Sequence, residues 1–179
     1  MTTKLRYFLA ALVITLPLDQ ISKQWIIANF HYGEREILIP GILDFTHVRN
    51  PGGAFSFFAD GPLEQRMLFF VGTTLIAIVL LLVFLKRLEG HERLSAIALG
   101  TILGGAMGNL IDRLVYSEVI DFIDVHLWGG YTWPTFNLAD SFIVVGVALL
   151  MIEIFLNDEG EEGAEEGQAS PTAGREETG

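Results

Sequence analysis

Four stretches of this sequence are apolar over the length a helix needs to cross a bilayer, and no other feature constrains the chain as tightly. The hydrocarbon core takes about 20 residues of helix to span, and a segment crossing it must satisfy its own backbone hydrogen bonds. Met67 to Leu85 is apolar with only small or hydroxylated interruptions, and Leu94 to Val115 is apolar and rich in glycine. Phe136 to Leu156 is apolar apart from Asn137, Asp140, Ser141 and Glu153. Tyr7 to Ile27 is the fourth, and it stands first in the chain. The hydrophobic share of 51% agrees with a membrane protein rather than a soluble globule. The expected fold class is therefore an all-α polytopic membrane protein with four transmembrane helices.

The first span has the basic flank (Lys4, Arg6) and apolar run of a cleavable leader. No small-residue cleavage site follows it, however, and hydrophobicity resumes at Trp25 to Ile27, so a retained helix is expected. Lys4 and Arg6 precede this span, and Lys86, Arg87 and Arg93 lie between spans two and three. By the positive-inside rule these regions are cytoplasmic, although Arg35, Arg49 and Arg66 dilute the signal. Both termini then face the cytoplasm, and residues 28–66 and 116–135 lie outside. Within the first outer segment, Glu36 to Asn50 carries two β-prone stretches around Pro40-Gly41, a pair suited to a type II turn, which predicts a small extramembrane β element. Trp128, Tyr131 and Trp133 in the second suit a headgroup-level aromatic belt. Span three carries Ala96, Gly100, Gly104 and Gly108 on one face, a stripe that lets a neighbouring helix approach closely.

The formal charge of −11 is concentrated at the end of the chain. Residues 157–179 hold eight carboxylates against Arg175 alone, with almost no large apolar residues, and read as a disordered acidic tail after a membrane domain spanning residues 1–156. No cysteine is present, which removes thiol nucleophiles, disulfides and thiolate metal sites. No basic stripe suggests nucleic acid.

Ionisable groups in a bilayer cost about 2.5 to 3.5 kcal/mol each at a helix centre on insertion scales, so their placement is informative. With the topology above, Asp19 and Lys23 fall toward the outer end of span one, and Asn109, Asp112 and Arg113 at the outer end of span three. Asp121 follows just beyond, and Asn137 and Asp140 open span four. All meet at one depth, and the i,i+3 and i,i+4 spacings gather each helix's polar groups on one face. Two readings stand for Asp19 with Lys23 and for Asp112 with Arg113: pairs that only orient helices, or parts of a site. Asp121 and Asp140 have no local cation, and two neighbouring carboxylates are costly when both are ionised.

The motifs can now be read together. Asp19 to Lys23 reads DQISK, Asn50 to Ser56 reads NPGGAFS, Gly104 to Arg113 reads GGAMGNLIDR, Val119 to Phe122 reads VIDF and Phe136 to Asp140 reads FNLAD. In this order and spacing, over about residues 5–156, they make the chain similar to lipoprotein signal peptidase, also called signal peptidase II. Pro51 and Gly53 stand where family members often have other small or polar residues. The resemblance implies a membrane-embedded aspartyl endopeptidase of the bacterial inner membrane, with its active site near the outer face. It implies cleavage of prolipoproteins on the amino side of a cysteine carrying diacylglycerol, with membrane lipids around it and globomycin as inhibitor. The family's catalytic aspartates fall on Asp121 and Asp140. Its supporting positions fall on Asp19, Lys23, Asn50, Gly52, Asn109, Asp112, Arg113, Asn137 and Ala139.

No cofactor or metal is expected for this chemistry. His31, His47, His91 and His126 are scattered and form no HExxH pattern, and no GxSxG is present. Two alternatives from other classes remain open at this level. A transporter or proton channel also uses intramembrane charges, though at several depths, whereas the inner halves of these spans are almost uncharged. A noncatalytic four-span scaffold would leave the carboxylates with structural partners only.

Overall fold

The computed structural model describes residues 1–53 and 57–168, in side-chain detail except at Trp128 and residues 156–168. The expected roles of Ala54 to Ser56, the Trp128 side chain and residues 169–179 therefore lie outside the described residues. Four helices are long and apolar enough to cross a membrane. They are α1 (Thr3–Asn29), α2 (Leu63–Arg87), α3 (Arg93–Tyr116) and α4 (Leu138–Gln168). The apolar span of α4 ends near Phe155, and its backbone runs on as helix into the acidic segment expected to be disordered. Extending an existing helix needs no new nucleus, and Ala and Glu are good helix formers.

In lipid, apolar surface alone does not drive helices together, so close packing must. α3 is the central helix, largely buried, while the other three present most of their surface outward. The small-residue stripe explains this. A Cβ at Gly100 would strike the Phe8 carbonyl oxygen, one at Gly104 the Thr15 hydroxyl, and one at Gly108 the Asp19 carboxylate. The stripe therefore faces α1, and Gly105, off the stripe, brings α4 equally close at the Ala139 carbonyl. Leu68, Val79, Val144 and Ile152 are among the apolar side chains left exposed for lipid.

The β element has three strands rather than the two expected between α1 and α2. β1 (Arg35–Ile39) and β2 (Leu43–Asn50) form the predicted hairpin, with Gly41 at φ 73° and the Ile42 N–H donating to the Ile39 carbonyl at 3.0 Å. A third strand, β3 (Val119–Val125), pairs antiparallel with β2, giving the order β1-β2-β3. Alternation along β3 sends Ile120 and Phe122 to one face, where they pack with Ile26 and Phe30 at the end of α1. Asp121 points the other way.

Candidate active site

Asp121, just beyond the third span, lies on strand β3. Ser117 adopts the left-handed conformation, φ 64°, and its N–H caps α3 on the Arg113 carbonyl at 2.9 Å, turning the chain directly into β3. Beyond β3 the chain folds back, through a 3-10 turn at Trp128–Gly130, until Phe136 bonds to β3. The Phe136 N–H donates to the Ile123 carbonyl at 3.1 Å, and the Ile123 N–H returns to Phe136 at 2.8 Å. This bridge carries the start of α4, and with it Asp140, alongside Asp121.

Asn137 joins the two carboxylates. Its side-chain amide donates to Asp121 Oδ1 at 2.7 Å, and its Oδ1 accepts from the Asp140 N–H at 2.9 Å. The Asn137 N–H in turn reaches Asp140 Oδ2 at 3.4 Å. This reciprocal pairing is a capping box, with Asn137 as N-cap of α4 and Asp140 three residues on. Asn50, at the end of β2, donates to Asp121 Oδ2 at 3.1 Å, and Asn109 on α3 donates to Asp140 Oδ1 at 2.8 Å. Neither Asp121 nor Asp140 makes an ion pair among the described residues. Burial, chiefly, and the neighbouring Asp140 charge push the Asp121 carboxyl up to about 7, against the hydrogen bonds from Asn50 and Asn137.

Beneath this pair lies a second, fully buried layer. Lys23 Nζ contacts Asp19 Oδ2 at 2.9 Å, Asp112 Oδ2 at 2.8 Å and Asn109 Oδ1 at 2.9 Å, and all three charged side chains are 0% exposed. Asp19 Oδ1 accepts the Ala139 N–H at 2.8 Å, so α1 satisfies one of the free donors at the N-terminus of α4. Asp112 Oδ2 accepts the N–H of Ile120, the residue before Asp121, at 3.2 Å. Sequence adjacency had paired Asp112 with Arg113, and that pairing is corrected: consecutive helical residues point in different directions, and the cation on Asp112 is Lys23. Arg113 instead donates to the Gly52 carbonyl at 3.3 Å and lies 4.8 Å over the Phe70 ring.

Gln20 was missed. Its amide donates to Asp112 Oδ1 and the Gly108 carbonyl, both at 3.1 Å, and to Asp19 Oδ2 at 3.3 Å. Its place inside DQISK was the available signal, masked because helical-face spacing sets it apart from its neighbour Asp19. Arg66 was read only as a topology charge, yet it donates to the carbonyls of Pro51 and Ala59 and holds the loop after β2.

Both carboxylates open onto a cavity of about 820 Å3. Its lining includes the polar residues Asn50, Asn109 and Arg113 with Gly52, the segment Trp133 to Phe136, and the apolar residues Ile143 to Val145 of α4. Of the residues singled out from sequence, Asp121, Asp140, Asn50, Gly52, Asn109 and Arg113 line this space. Asn137 bonds both aspartates, and Asp19, Lys23, Asp112 and Ala139 form the layer that supports them. Two carboxylates bridged by one amide on a shared cavity wall form an arrangement that can hold one proton between them.

Comparison with known proteins gives a consistent picture. The family model described as signal peptidase (SPase) II matches residues 10–156. A lipoprotein signal peptidase of Serratia proteamaculans is 46% identical over 156 residues, covering 87% of this chain and 90% of the relative. One from Listeria welshimeri is 39% identical over 152 residues, covering 85% and 94%. Among solved structures, a bacterial membrane enzyme determined by the in meso method at 2.3 Å resolution superposes with a TM-score of 0.79 at 30% identity, covering 89% of this chain and 95% of that one.

Proposed function

The chain belongs to the signal peptidase II family, and from that premise we propose that it is an aspartyl endopeptidase removing signal peptides from diacylglyceryl-modified prolipoproteins, with Asp121 and Asp140 as the catalytic pair. The observation that carries this reading is that two carboxylates making no ion pair among the described residues, both bonded to Asn137, line one cavity whose wall also includes the exposed apolar residues Val144 and Val145. A substrate with an acyl chain beside its scissile bond offers chemistry to match this mixed polar and apolar lining.

In this mechanism Asp121, which burial keeps protonated up to about pH 7, hydrogen-bonds the scissile carbonyl oxygen. Asp140 takes a proton from water as its oxygen attacks the carbonyl carbon, and Asp121 protonates the developing oxyanion. As the tetrahedral diol collapses, Asp140 passes its proton to the departing nitrogen and Asp121 recovers one from the diol hydroxyl. Both carboxyls return to their starting states. Asn50 and Asn137 orient Asp121, and Arg113 at the cavity wall offers a donor for substrate carbonyls.

On this reading residues 1–156 form the peptidase domain, both termini and the acidic tail 157–179 face the cytoplasm, and the catalytic pair works near the outer face of the inner membrane. Bilayer lipids cover the exposed apolar helix surfaces, and globomycin inhibits by occupying the pair. The direct test uses purified protein in detergent with a diacylglyceryl-modified prolipoprotein, reading release of the signal peptide by gel shift and mass spectrometry. Cleavage on the amino side of the lipidated cysteine is expected. Cleavage elsewhere, or equal cleavage of the unlipidated precursor, would overturn the proposed substrate.

A further inference from the structure

At the end of the sheet away from the catalytic pair, Asp44 of β2 and Asp124 of β3 are direct cross-strand partners, 4% and 2% exposed. Like charges opposed across an antiparallel pair are destabilising, and burial increases the penalty. The nearby cation is Arg35 of β1, whose guanidinium reaches Asp124 Oδ2 at 2.6 Å and Asp44 Oδ2 at 3.3 Å from a side chain that is 51% exposed. Asp124 Oδ1 remains buried with no hydrogen-bond partner.

His126 completes the group. Its Nε2 lies 2.8 Å from Asp44 Oδ2 and its Nδ1 lies 3.2 Å from the Thr132 hydroxyl. In one tautomer Nε2–H donates to Asp44 and Nδ1 accepts from the Thr132 hydroxyl; in the other, Nδ1–H donates to Thr132 and Nε2 presents its lone pair beside the two carboxylates, the form that can ligate a cation. One donor atom from each of Asp44, Asp124 and His126 lies within 4.8 Å of the others. Two carboxylates and one imidazole, the imidazole fixed through its second nitrogen, are a donor set suited to zinc.

We propose that Asp44, Asp124 and His126 form a structural divalent-cation site of the zinc type that clips β2 to β3 and to the segment leading into α4. A divalent cation neutralises both carboxylates and supplies a partner for the orphaned Asp124 oxygen, with water completing its coordination. Arg35 is then a competitor: its exposed side chain swings outward when the metal binds. The ion is remote from the proposed chemistry, so its removal lowers thermal stability rather than the chemical rate.

The test uses the tag-free full chain in detergent, zinc as the probe, bound metal read by mass spectrometry and affinity by calorimetry. One zinc per chain is expected, with a rise in Tm on zinc addition, and both should disappear in His126→Ala and in Asp124→Asn. Arg35→Gln should bind zinc about tenfold more tightly or better, because the competing charge-assisted hydrogen bonds are gone. His126→Ala keeps the test decisive if Asp124→Asn fails to fold. No zinc above background, zinc retained in His126→Ala, or an Arg35→Gln variant no tighter than wild type would each overturn the site and leave an Arg35-centred ion-pair network.

Discussion

Replacing Asp121 by Asn should abolish cleavage and, at alkaline pH, make the protein more stable. Asp121 is 2% exposed, and its carboxyl is raised from an ordinary 3.8 to about 7 by burial and by the Asp140 charge. A raised folded-state pKa means that the native state binds the proton more tightly than the unfolded chain does. Stability from this group is therefore complete below about pH 4, declines as pH rises toward 7, and levels off above that. At 1.36 kcal/mol for each pH unit between 3.8 and about 7 the total is about 4 kcal/mol, of which about 2.6 kcal/mol falls between pH 5 and 8. Asn carries no charge to desolvate and escapes this loss. It cannot, however, accept from both Asn50 and Asn137 as the carboxylate does, and one mispaired buried donor costs about 1 to 3 kcal/mol at every pH. The variant should then overtake wild type between about pH 4.5 and 6 and be the more stable by about 1 to 3 kcal/mol at pH 8. On the scale of soluble domains of this length, the Tm difference should swing by about 5 to 11 °C between pH 5 and 8. Thermal unfolding of both proteins in detergent from pH 5 to 8 measures it. A Tm difference that stays flat across this range would refute the raised carboxyl and with it the assignment of the shared proton to Asp121.

Asp140→Asn should also eliminate single-turnover cleavage while retaining substrate binding. Asp112→Asn should lose stability and activity together, because Lys23, Gln20 and the Ile120 N–H all donate to that carboxylate; a stable, inactive Asp112→Asn beside an active Asp121→Asn would move the chemistry to Asp112. Gly104→Leu should force α1 and α3 apart at Thr15, costing about 1 to 3 kcal/mol or preventing accumulation in the membrane, as read by Tm and yield in detergent. Reporter fusions at Gly61 and Gly130 should both signal the outer side; a cytoplasmic signal from Gly130 would put Asp121 on the wrong side of the membrane for the proposed reaction.

The helices were legible because the bilayer sets their length and apolar content, and neither depends on knowing the partners. The site's depth was legible for a related reason: antiparallel spans bring the end of α3 and the start of α4 to one level, whatever their rotation. What sequence could not supply was the choice of partner across an interface. β3 escaped notice because Ile120 and Phe122 pack against α1 while Asp121 faces the site, so both faces are occupied and the polar-apolar alternation of a half-buried strand is blurred. Asp112 was matched with Arg113 because they are neighbours in the chain, whereas the cation that reaches it comes from α1, which the glycine stripe draws close enough for a lysine to be buried. The exchange has a functional side. With Lys23 engaged below by Asp19 and Asp112, Arg113 makes no ion pair among the described residues and remains at the cavity wall, bonded to the Gly52 carbonyl and stacked on Phe70. A buried lysine thus takes the structural charge-pairing role, and in the proposed mechanism this leaves the guanidinium on the cavity wall as a donor for substrate.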